Sequence, residues 1–325
     1  MQFLKRIAMV ATAVIMVAAA TSCGDGTPAG TGANDGASSS GATIRVASNS
    51  NASVLPLWVA LDKGIFKKHG LTVNYTKVEN IGTLPPAIGN SFDVIFITPV
   101  QAIAATAQGI PVTEIAGSST DTTADPNSYL MVKKGSSIRQ LSDLKGKTIG
   151  VLTAVGTLHY ATLNMLKQAG VSPDEVKIVQ VDGPSQAAQL GAGRVDAVET
   201  LAPFSVQNKA AGATSLGIPF ESLSDSISVI WWAAGNEWAD QHRDEVKRFQ
   251  AALAEAKTYI ESNDAKSRDV LQKYTGFPAK VVKSFSLPAY DPTIRPQDIP
   301  IWLKVMQDVA GFKGNVDVSK LTLQP

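Results

Sequence analysis

Short apolar runs alternate along this chain with longer stretches in which apolar residues recur at helical spacing. In the first part of the chain this pattern predicts strands at residues 44–48, 71–78, 93–97 and 112–118. Helical stretches are predicted between them: one with Pro56 in its first turn that ends near Gly70, one that ends near Asn90, and one from Pro99 to about Gly109. Strands separated by helices indicate a mostly parallel sheet covered on both faces.

The same alternation returns about 100 residues later and predicts a second lobe. Strands are predicted at residues 147–152, 176–181, 195–200 and 227–233, with helices ending near 169, over 185–192 and after Pro203. Asp93 precedes Pro99 by six residues, and Asp196 precedes Pro203 by seven, so the two halves look alike. Amphipathic helices over residues 246–260 and 299–309 are expected to brace the lobes.

The order of these elements predicts two connections between the lobes. We assign residues 43–122 and 235–325 to lobe 1 and residues 123–234 to lobe 2. A double connection makes a two-segment hinge with one dominant opening motion, as in proteins that close on a ligand.

The first residues have the pattern of an export signal. Lys5 and Arg6 precede a 14-residue apolar run that ends at Ala20. A helix of that length spans roughly 21 Å, short of the ~30 Å hydrocarbon core of a bilayer. We therefore interpret residues 1–22 as a signal peptide and not as a permanent membrane span.

Cys23 is the only cysteine of the chain, and it stands where a signal peptidase would cut. The run from Ala20 to Cys23 resembles the bacterial lipobox, in which the cysteine receives fatty acyl groups such as palmitate and becomes the new N-terminus. It departs from that pattern at Ala20, where leucine is usual, so an ordinary export signal with an incidental cysteine remains the alternative. Residues 24–42 are all small or polar, which predicts a flexible tether with a reach of about 24 Å.

Composition excludes several functions for the remaining body. The chain has 325 residues, 44% of them apolar, so it can bury a sizeable core. With 29 basic and 28 acidic residues the chain is nearly neutral, so it lacks the excess positive charge that is typical of nucleic-acid-binding proteins. Neither a phosphate-binding loop, nor a dinucleotide fingerprint, nor a GxSxG motif is present.

The three histidines stand far apart, without metal-binding spacing, so we predict no metal site and no cofactor. His159 is close to the predicted cleft, but a lone helical histidine is typically a surface or capping residue.

Several motifs in fixed order resemble the solute-binding proteins of ABC importers, specifically the group that binds nitrate, taurine, alkanesulfonates and thiamine precursors. The motifs are LWVA at 57–60, DKGIF at 62–66, GLTV at 70–73, DLKGKTIGV at 143–151, and Leu190 with GRVDA at 193–197. The resemblance runs from about Thr43 to the C-terminal helices and is specific to the family, not to the ligand.

The resemblance implies a two-lobe α/β fold of the periplasmic-binding-protein type (type II), with mixed sheets. It implies a monomeric, lipid-anchored protein at the extracytoplasmic face of the cell membrane, which captures a small solute by lobe closure. Delivery would need a separate permease and ATPase. A ligand-sensing lipoprotein of the same fold is the alternative. An enzyme of thiamine-pyrimidine synthesis is disfavoured, because the yeast-type synthases carry a cysteine-rich iron motif and the one cysteine here is Cys23.

Ligands of open α/β sheets bind beyond the carboxyl ends of the strands, near helix N-termini. The predicted ligand-binding residues therefore lie in the loops after strands: Asn49, Asn51, Ser53, Thr98, Pro99, Asp121, Thr153, Gly156, Thr157, Glu199 and Pro203. The alternative role for each serine and threonine is a helix N-cap or a turn residue.

Trp231 and Trp232 are further candidates. As neighbours on one strand they point to opposite faces, so at most one can line a cleft, and the alternative is that both pack in cores. None of the candidates is Arg or Lys, whereas Asp121 and Glu199 are acidic. The sequence thus favours a neutral or amino-bearing solute over a hard anion. The alternative role for Asp121, and for the nearby Asp125, is that of a solvated hinge residue.

Overall fold

Two β-sheets organise residues 41–323, the part of the chain that the computed structural model describes. The strands are β1 (Ala42–Ser48), β2 (Leu71–Lys77), β3 (Val94–Ile97), β4 (Val112–Thr122), β5 (Ser128–Val132), β6 (Thr148–Val151), β7 (Lys177–Gln180), β8 (Ala197–Leu201), β9 (Thr214–Gly217), β10 (Ser226–Gly235) and β11 (Ala289–Tyr290). The helices are α1 (Leu55–Asp62), α2 (Ile65–Lys68), α3 (Pro99–Ala107), α4 (Thr157–Gln168), α5 (Gln186–Gly191), α6 (Phe204–Ala210), α7 (Asn236–Gln241), α8 (Arg243–Ser262), α9 (Asp264–Thr275), α10 (Ala279–Val282) and α11 (Asp298–Ala310). The predicted signal peptide and Cys23 lie outside the described residues, and β1 begins at Ala42, the last residue of the predicted tether.

Both sheets mix parallel and antiparallel strands. The first has the order β11-β4-β10-β3-β1-β2, and the second has the order β7-β6-β8-β5-β9. Strand β1 pairs in parallel with β2 and β3, as β6 does with β7 and β8, and the remaining pairs are antiparallel. The mixed α/β class is confirmed, whereas the mostly parallel sheet expected from the pattern alone is wrong, because β5 and β10 enter their sheets after crossing from the other sheet.

Two segments cross between the sheets. Residues 123–127 lead from β4 to β5, and residues 218–225 lead from β9 to β10. Strand β10 pairs with β3 and β4, so Ser226–Gly235 lies in the first sheet, although the sequence analysis placed residues up to 234 in lobe 2. The apolar side chains of β10 fill the cores on both faces of the first sheet, which explains its position. The rest of the lobe division stays a prediction.

Local chemistry explains where predicted helices differ from observed ones. The helix predicted up to Gly70 is two helices, because Gly64 has a φ of +70° between α1 and α2. The stretch before Asn90 forms only two short 3-10 turns, since Pro85 and Pro86 lack the N–H groups that an α-helix needs.

Separate apolar cores cover the faces of the two sheets. On one face of the first sheet, Trp58, Trp232 and Phe249 are buried together, and on the other face Trp231 and Trp302 are buried. The second sheet has a core with Leu130, Ile149 and Leu166 among its members. Each fully buried side chain of this size contributes about 1.5–3 kcal/mol.

Helix α4 joins the two sheets. Its Leu158 and Ala161 pack into a core of the first sheet, whereas Met165 and Leu166 pack into the core of the second. The N-terminus of α4 is therefore held where the two sheets meet.

Candidate functional site

A cavity of about 100 Å³ lies between the two sheets, beside both crossing segments. Its wall combines loops and strands of both sheets with the N-terminus of α4. The lining residues are Asn51, Ala52, Ser53, Ser119, Thr120, Asp121, Asn127, Ser128, Thr157, Leu158, Leu201, Ala202, Phe220, Val229, Ile230, Phe285 and Pro288. The volume exceeds the space of a single water several-fold, so a small molecule is a suitable occupant.

Four of the predicted ligand-binding residues line this cavity: Asn51, Ser53, Asp121 and Thr157. The loop after β1 is held against β4 by hydrogen bonds, in which Ser119 Oγ donates to Ser53 Oγ at 2.9 Å and Ser118 Oγ donates to the carbonyl of Ser53 at 2.7 Å. Asn51 Oδ1 accepts a 2.8 Å hydrogen bond from the backbone N–H of Ser53, which caps the short turn that follows. These hydrogen bonds hold the loop after β1 in a fixed position where the first sheet forms the cavity wall.

Asp121 is the ionisable side chain of this wall, and 5% of it is exposed. Its Oδ2 accepts a 3.4 Å hydrogen bond from the backbone N–H of Asn127, and its buried Oδ1 has no partner among the described residues. Burial raises the pKa of Asp121 to about 7, and the backbone N–H of Asn127 and the neighbouring hydroxyl of Ser128 oppose that rise. Near neutral pH this carboxyl can therefore either donate or accept a hydrogen bond inside the cavity.

The residues at the end of β3 do not line the cavity. Thr98 caps α3, because its Oγ1 accepts a hydrogen bond from the backbone N–H of Gln101 at 3.2 Å while Gln101 Oε1 accepts one from the backbone N–H of Thr98 at 3.1 Å. Pro99 is the first residue of that helix. Thr98 thus has the capping role that the sequence analysis gave as its alternative.

Asn49 and the loop before α4 also lie outside the lining. The buried Oδ1 of Asn49 has no hydrogen-bond partner among the described residues. Thr153 Oγ1 donates to the carbonyl of Val155 at 3.0 Å, so this hydroxyl is used within its own turn. Gly156 has extended backbone just before α4, whose first residue, Thr157, does reach the cavity.

Glu199 lies on β8, fully buried beneath α4. Its Oε2 is 3.2 Å from Nδ1 of His159, while its Oε1 has no hydrogen-bond partner within residues 41–323. Burial raises the pKa of Glu199, and His159 opposes the rise. The surface or capping role expected for His159 is wrong, since 5% of this residue is exposed and its ring pairs with Glu199. Pro203 follows a cis peptide bond from Ala202, and of the two only Ala202 lines the cavity.

The two tryptophans of β10 are core residues. Trp231 Nε1 donates to Ser228 Oγ at 2.9 Å on one face of the first sheet. On the other face Trp232 packs edge-on against Phe96, with ring centroids 5.1 Å apart. They point to opposite faces as predicted, but neither lines the cavity, so the structure gives both the packing role.

Several lining residues were missed by the sequence analysis. Ser119 and Thr120 belong to the end of β4, where the polar run from Ser118 to Thr123 was a usable signal. Asn127 ends the first crossing segment and Ser128 begins β5. Phe220 and Phe285 carried no local signal, because one lies in a crossing segment and the other in a loop far along the chain.

Metal-binding clusters and membrane-spanning helices are both absent from residues 41–323. In that range no group of three or more His, Cys, Asp or Glu side chains is placed to hold a metal ion. No helix in the same range is both long enough and apolar enough to cross a bilayer.

Solved structures share this fold over most of the chain. The periplasmic aliphatic sulphonate binding protein SsuA of Escherichia coli superimposes with a TM-score of 0.74, at 17% identity, covering 87% of this chain and 92% of SsuA. The periplasmic nitrate-binding protein NrtA of Synechocystis PCC 6803 gives a TM-score of 0.69, at 13% identity, covering 86% of each chain. At such identities the likeness establishes the two-lobe fold.

Relatives by sequence fall into two kinds. A binding protein of Brucella abortus (strain 2308) is 24% identical over 220 residues, which are 66% of this chain and 66% of the relative. A 4-amino-5-hydroxymethyl-2-methylpyrimidine phosphate synthase of Saccharomyces cerevisiae is also 24% identical, over 228 residues that cover 66% of this chain and 65% of the enzyme. The match thus spans slightly less than two thirds of the length of either relative.

The family model described as NMT1/THI5 like matches residues 51–266, a range that includes the crossing segments and most of the cavity wall. Since that range is more than half of the chain, the protein belongs to the NMT1/THI5-like family.

Proposed function

We propose that this protein is the extracytoplasmic solute-binding subunit of an ABC importer. The observation that carries the proposal is the cavity between two sheets joined by two crossing segments, with polar groups of both sheets in its wall. Relatives of the same fold are a sulphonate-binding and a nitrate-binding periplasmic protein by name, and a family relative is called a binding protein. Candidate solutes are therefore a sulfonate, taurine, nitrate or a thiamine-type pyrimidine.

The mechanism follows from the position of the cavity. Residues 123–127 and 218–225 act as a two-segment hinge, and rotation about them opens the cavity to solvent or closes it around the solute. Closure removes water, which strengthens the hydrogen bonds between the solute and the wall. In this proposal lobe 1 comprises residues 43–122 and the chain from about 226 onward, and lobe 2 comprises the residues between.

We also propose where the protein acts and with which partners. The protein acts as a monomer, is anchored through acylated Cys23 and a flexible tether, and delivers its solute to a separate permease driven by an ATPase. It does not alter the solute. Adjacent permease and ATPase genes would support import, whereas an adjacent sensor-kinase gene would support a ligand-sensing lipoprotein of the same fold.

A second candidate function is synthesis of a pyrimidine phosphate, because yeast relatives bear that name. The described residues contain no cysteine, and the single cysteine of the chain is Cys23, so a cysteine-rich iron motif is not part of this cavity. Mass spectrometry of a solute incubated with the protein distinguishes the two functions. A chemically altered solute would favour the enzyme.

Thermal unfolding in the presence of candidate solutes tests solute binding. A solute that binds only the folded protein adds about 2.7 kcal/mol of stability at a hundredfold excess over Kd, which raises Tm. Ala52→Phe fills the cavity and should abolish the rise, whereas Ala211→Phe places the same side chain on the exposed end of α6 and should leave it intact. A broad panel that raises Tm in neither the wild type nor the control variant would overturn the proposal.

A further inference from the structure

The charge of the cavity wall is set by one side chain. Of the lining residues, Asp121 alone carries an ionisable group, and the other polar groups are hydroxyls and amides. No Arg, Lys or His side chain lines the cavity. An oxyanion in this space would therefore face a carboxylate without a cationic side chain to compensate it.

The hydrogen bonding of Asp121 leaves one oxygen available. Oδ2 accepts from the backbone N–H of Asn127 at 3.4 Å, a long hydrogen bond, while Oδ1 is buried and has no partner among the described residues. A buried acceptor without a donor is unfavourable, and a ligand that supplies the donor removes that cost. The wall thus has an unused acceptor in an otherwise largely apolar space.

The charged groups around Asp121 have the same sign. Asp125, on the first crossing segment, and Glu221, on the second, both act to raise the pKa of Asp121, in addition to the larger effect of burial. The backbone of Asn127 and the hydroxyl of Ser128 act in the opposite direction. The electrostatic environment therefore disfavours a negatively charged ligand on both sides of the hinge.

The rest of the wall indicates what the ligand body is like. Leu158, Leu201, Phe220 and Phe285 present apolar surface to the cavity from helix α4, strand β8, the second crossing segment and the loop after α10, respectively. Flat or branched apolar groups of a ligand bury well against such side chains.

We propose that the cavity binds a small, partly apolar solute that carries an N–H donor group, such as an amine, an amidine or an amino-substituted ring, and that Asp121 accepts this donor and excludes oxyanions. This inference rests on the proposed solute-binding function and narrows its solute class. It makes Asp121 the specificity-determining residue of the site.

Three probes with the same phenyl body test the solute class: benzylamine, benzamidine and benzenesulfonate, measured by isothermal titration calorimetry. Benzamidine or benzylamine should bind the wild type at least about tenfold more tightly than benzenesulfonate, since a charge-assisted hydrogen bond replaces charge repulsion. Asp121→Asn should shrink that difference to about threefold or less. Asp174→Asn, at an exposed carboxylate outside the cavity wall, is the matched control and should retain the preference.

The pH dependence of ligand affinity in the wild type tests the same inference without a variant. Benzamidine stays protonated between pH 6 and 8, so its affinity should rise as Asp121 loses its proton near pH 7, whereas the affinity for benzenesulfonate should fall.

Equal or tighter binding of benzenesulfonate, or an unchanged preference in the Asp121→Asn variant, would overturn the inference. If binding of benzenesulfonate were also abolished by Ala52→Phe, the cavity would still be a solute site and only its solute class would be wrong. Absence of binding by all three probes would also overturn the inference, while the wider solute panel judges the proposed function separately.

Discussion

Asp93 and Asp196 occupy the same position in the two sheets. The carboxylate of Asp93 accepts a 2.8 Å hydrogen bond from the backbone N–H of Arg45, and the carboxylate of Asp196 accepts one of the same length from Thr148. In each case the donor lies 48 residues earlier, and the backbone N–H of the aspartate donates back to the carbonyl of that residue. The similarity of the two halves that the sequence indicated is therefore present in the hydrogen bonds that join β1 to β3 and β6 to β8.

Asp196→Ala should destabilise the protein by about 1–3 kcal/mol, because the N–H of Thr148 loses its carboxylate partner. Asp93→Ala should cost more, since Asp93 also accepts from the guanidinium of Arg45, with Nε–Oδ distances of 3.1 and 3.2 Å. Urea unfolding measures both. Asp174→Ala, at an exposed aspartate of the second lobe, is the control, and a loss at Asp196 no larger than the loss at Asp174 would contradict the structural role.

Parts of the fold that depend on local patterns could be predicted. The apolar run from Val94 to Ile97 is a buried strand, and Pro99 starts the next helix. The parallel pairs of β1 and β6 follow from strand-helix-strand order. The antiparallel neighbours could not be predicted, because β5 and β10 take their places only after the chain has crossed between the sheets, which no local pattern encodes.

The same distinction holds for the site. Asn51 and Thr157 were predictable, since each lies in the loop or helix start that follows a strand. Phe285 could not be predicted, because it reaches the cavity through the path of the chain after α10. Glu199 was assigned to the ligand because of its charge and its place at the end of a predicted strand, but its side chain is buried against His159.

The pair of His159 and Glu199 fixes α4 against β8. His159→Ala should destabilise the protein by about 3 kcal/mol, because it leaves the buried Glu199 without its partner. Replacing both residues by leucine should cost less than the sum of the two single leucine replacements. Chemical unfolding of the four proteins gives this double-mutant cycle, and additive losses would show that the pair does not act as a unit.

Because Glu114 is buried, the free energy of unfolding should decrease as pH rises. Glu114 is 1% exposed on β4, and neither of its carboxyl oxygens has a hydrogen-bond partner among residues 41–323. Burial, followed by the nearby Asp298, raises its pKa to about 9. Between pH 4.5 and 9 the folded state therefore keeps a proton that the unfolded chain releases, so the free energy of unfolding decreases by up to about 1.4 kcal/mol per pH unit.

Glu114→Gln should remove this contribution and stabilise the protein at pH 8 relative to the wild type, by about 1 kcal/mol or more. Glu79→Gln, at an exposed glutamate, is the control and should leave the slope unchanged. Thermal unfolding across pH 5–9 measures both, and parallel curves for the wild type and the Glu114→Gln variant would refute the assignment.

Anchoring through Cys23 predicts where the protein partitions in the cell. Cys23→Ser removes the thiol that would be acylated, so the protein should move from the membrane fraction to the soluble extracytoplasmic fraction. A single acyl chain gives only marginal membrane binding, so complete retention of the wild type also requires more than one chain. Fractionation with immunoblotting measures the distribution, and unchanged partitioning of the variant would remove the lipoprotein part of the proposal.

The seam between α4 and α11 should control how the lobes close. Leu163 of α4 packs against Val305 and Val309 of α11 in a small apolar cluster, and Lys167 Nζ donates to the carbonyl of Asp308 at 3.0 Å. Val305→Asp places a charge in this cluster, which should separate the helices, increase the radius of gyration measured by small-angle X-ray scattering, and weaken solute binding about tenfold. Gln307→Asp introduces the same side chain two residues away at an exposed position of α11 and should change neither quantity. If the Val305→Asp variant kept the wild-type dimensions while losing affinity, the seam would not set the closed state, and closure would have to depend on the cavity wall alone.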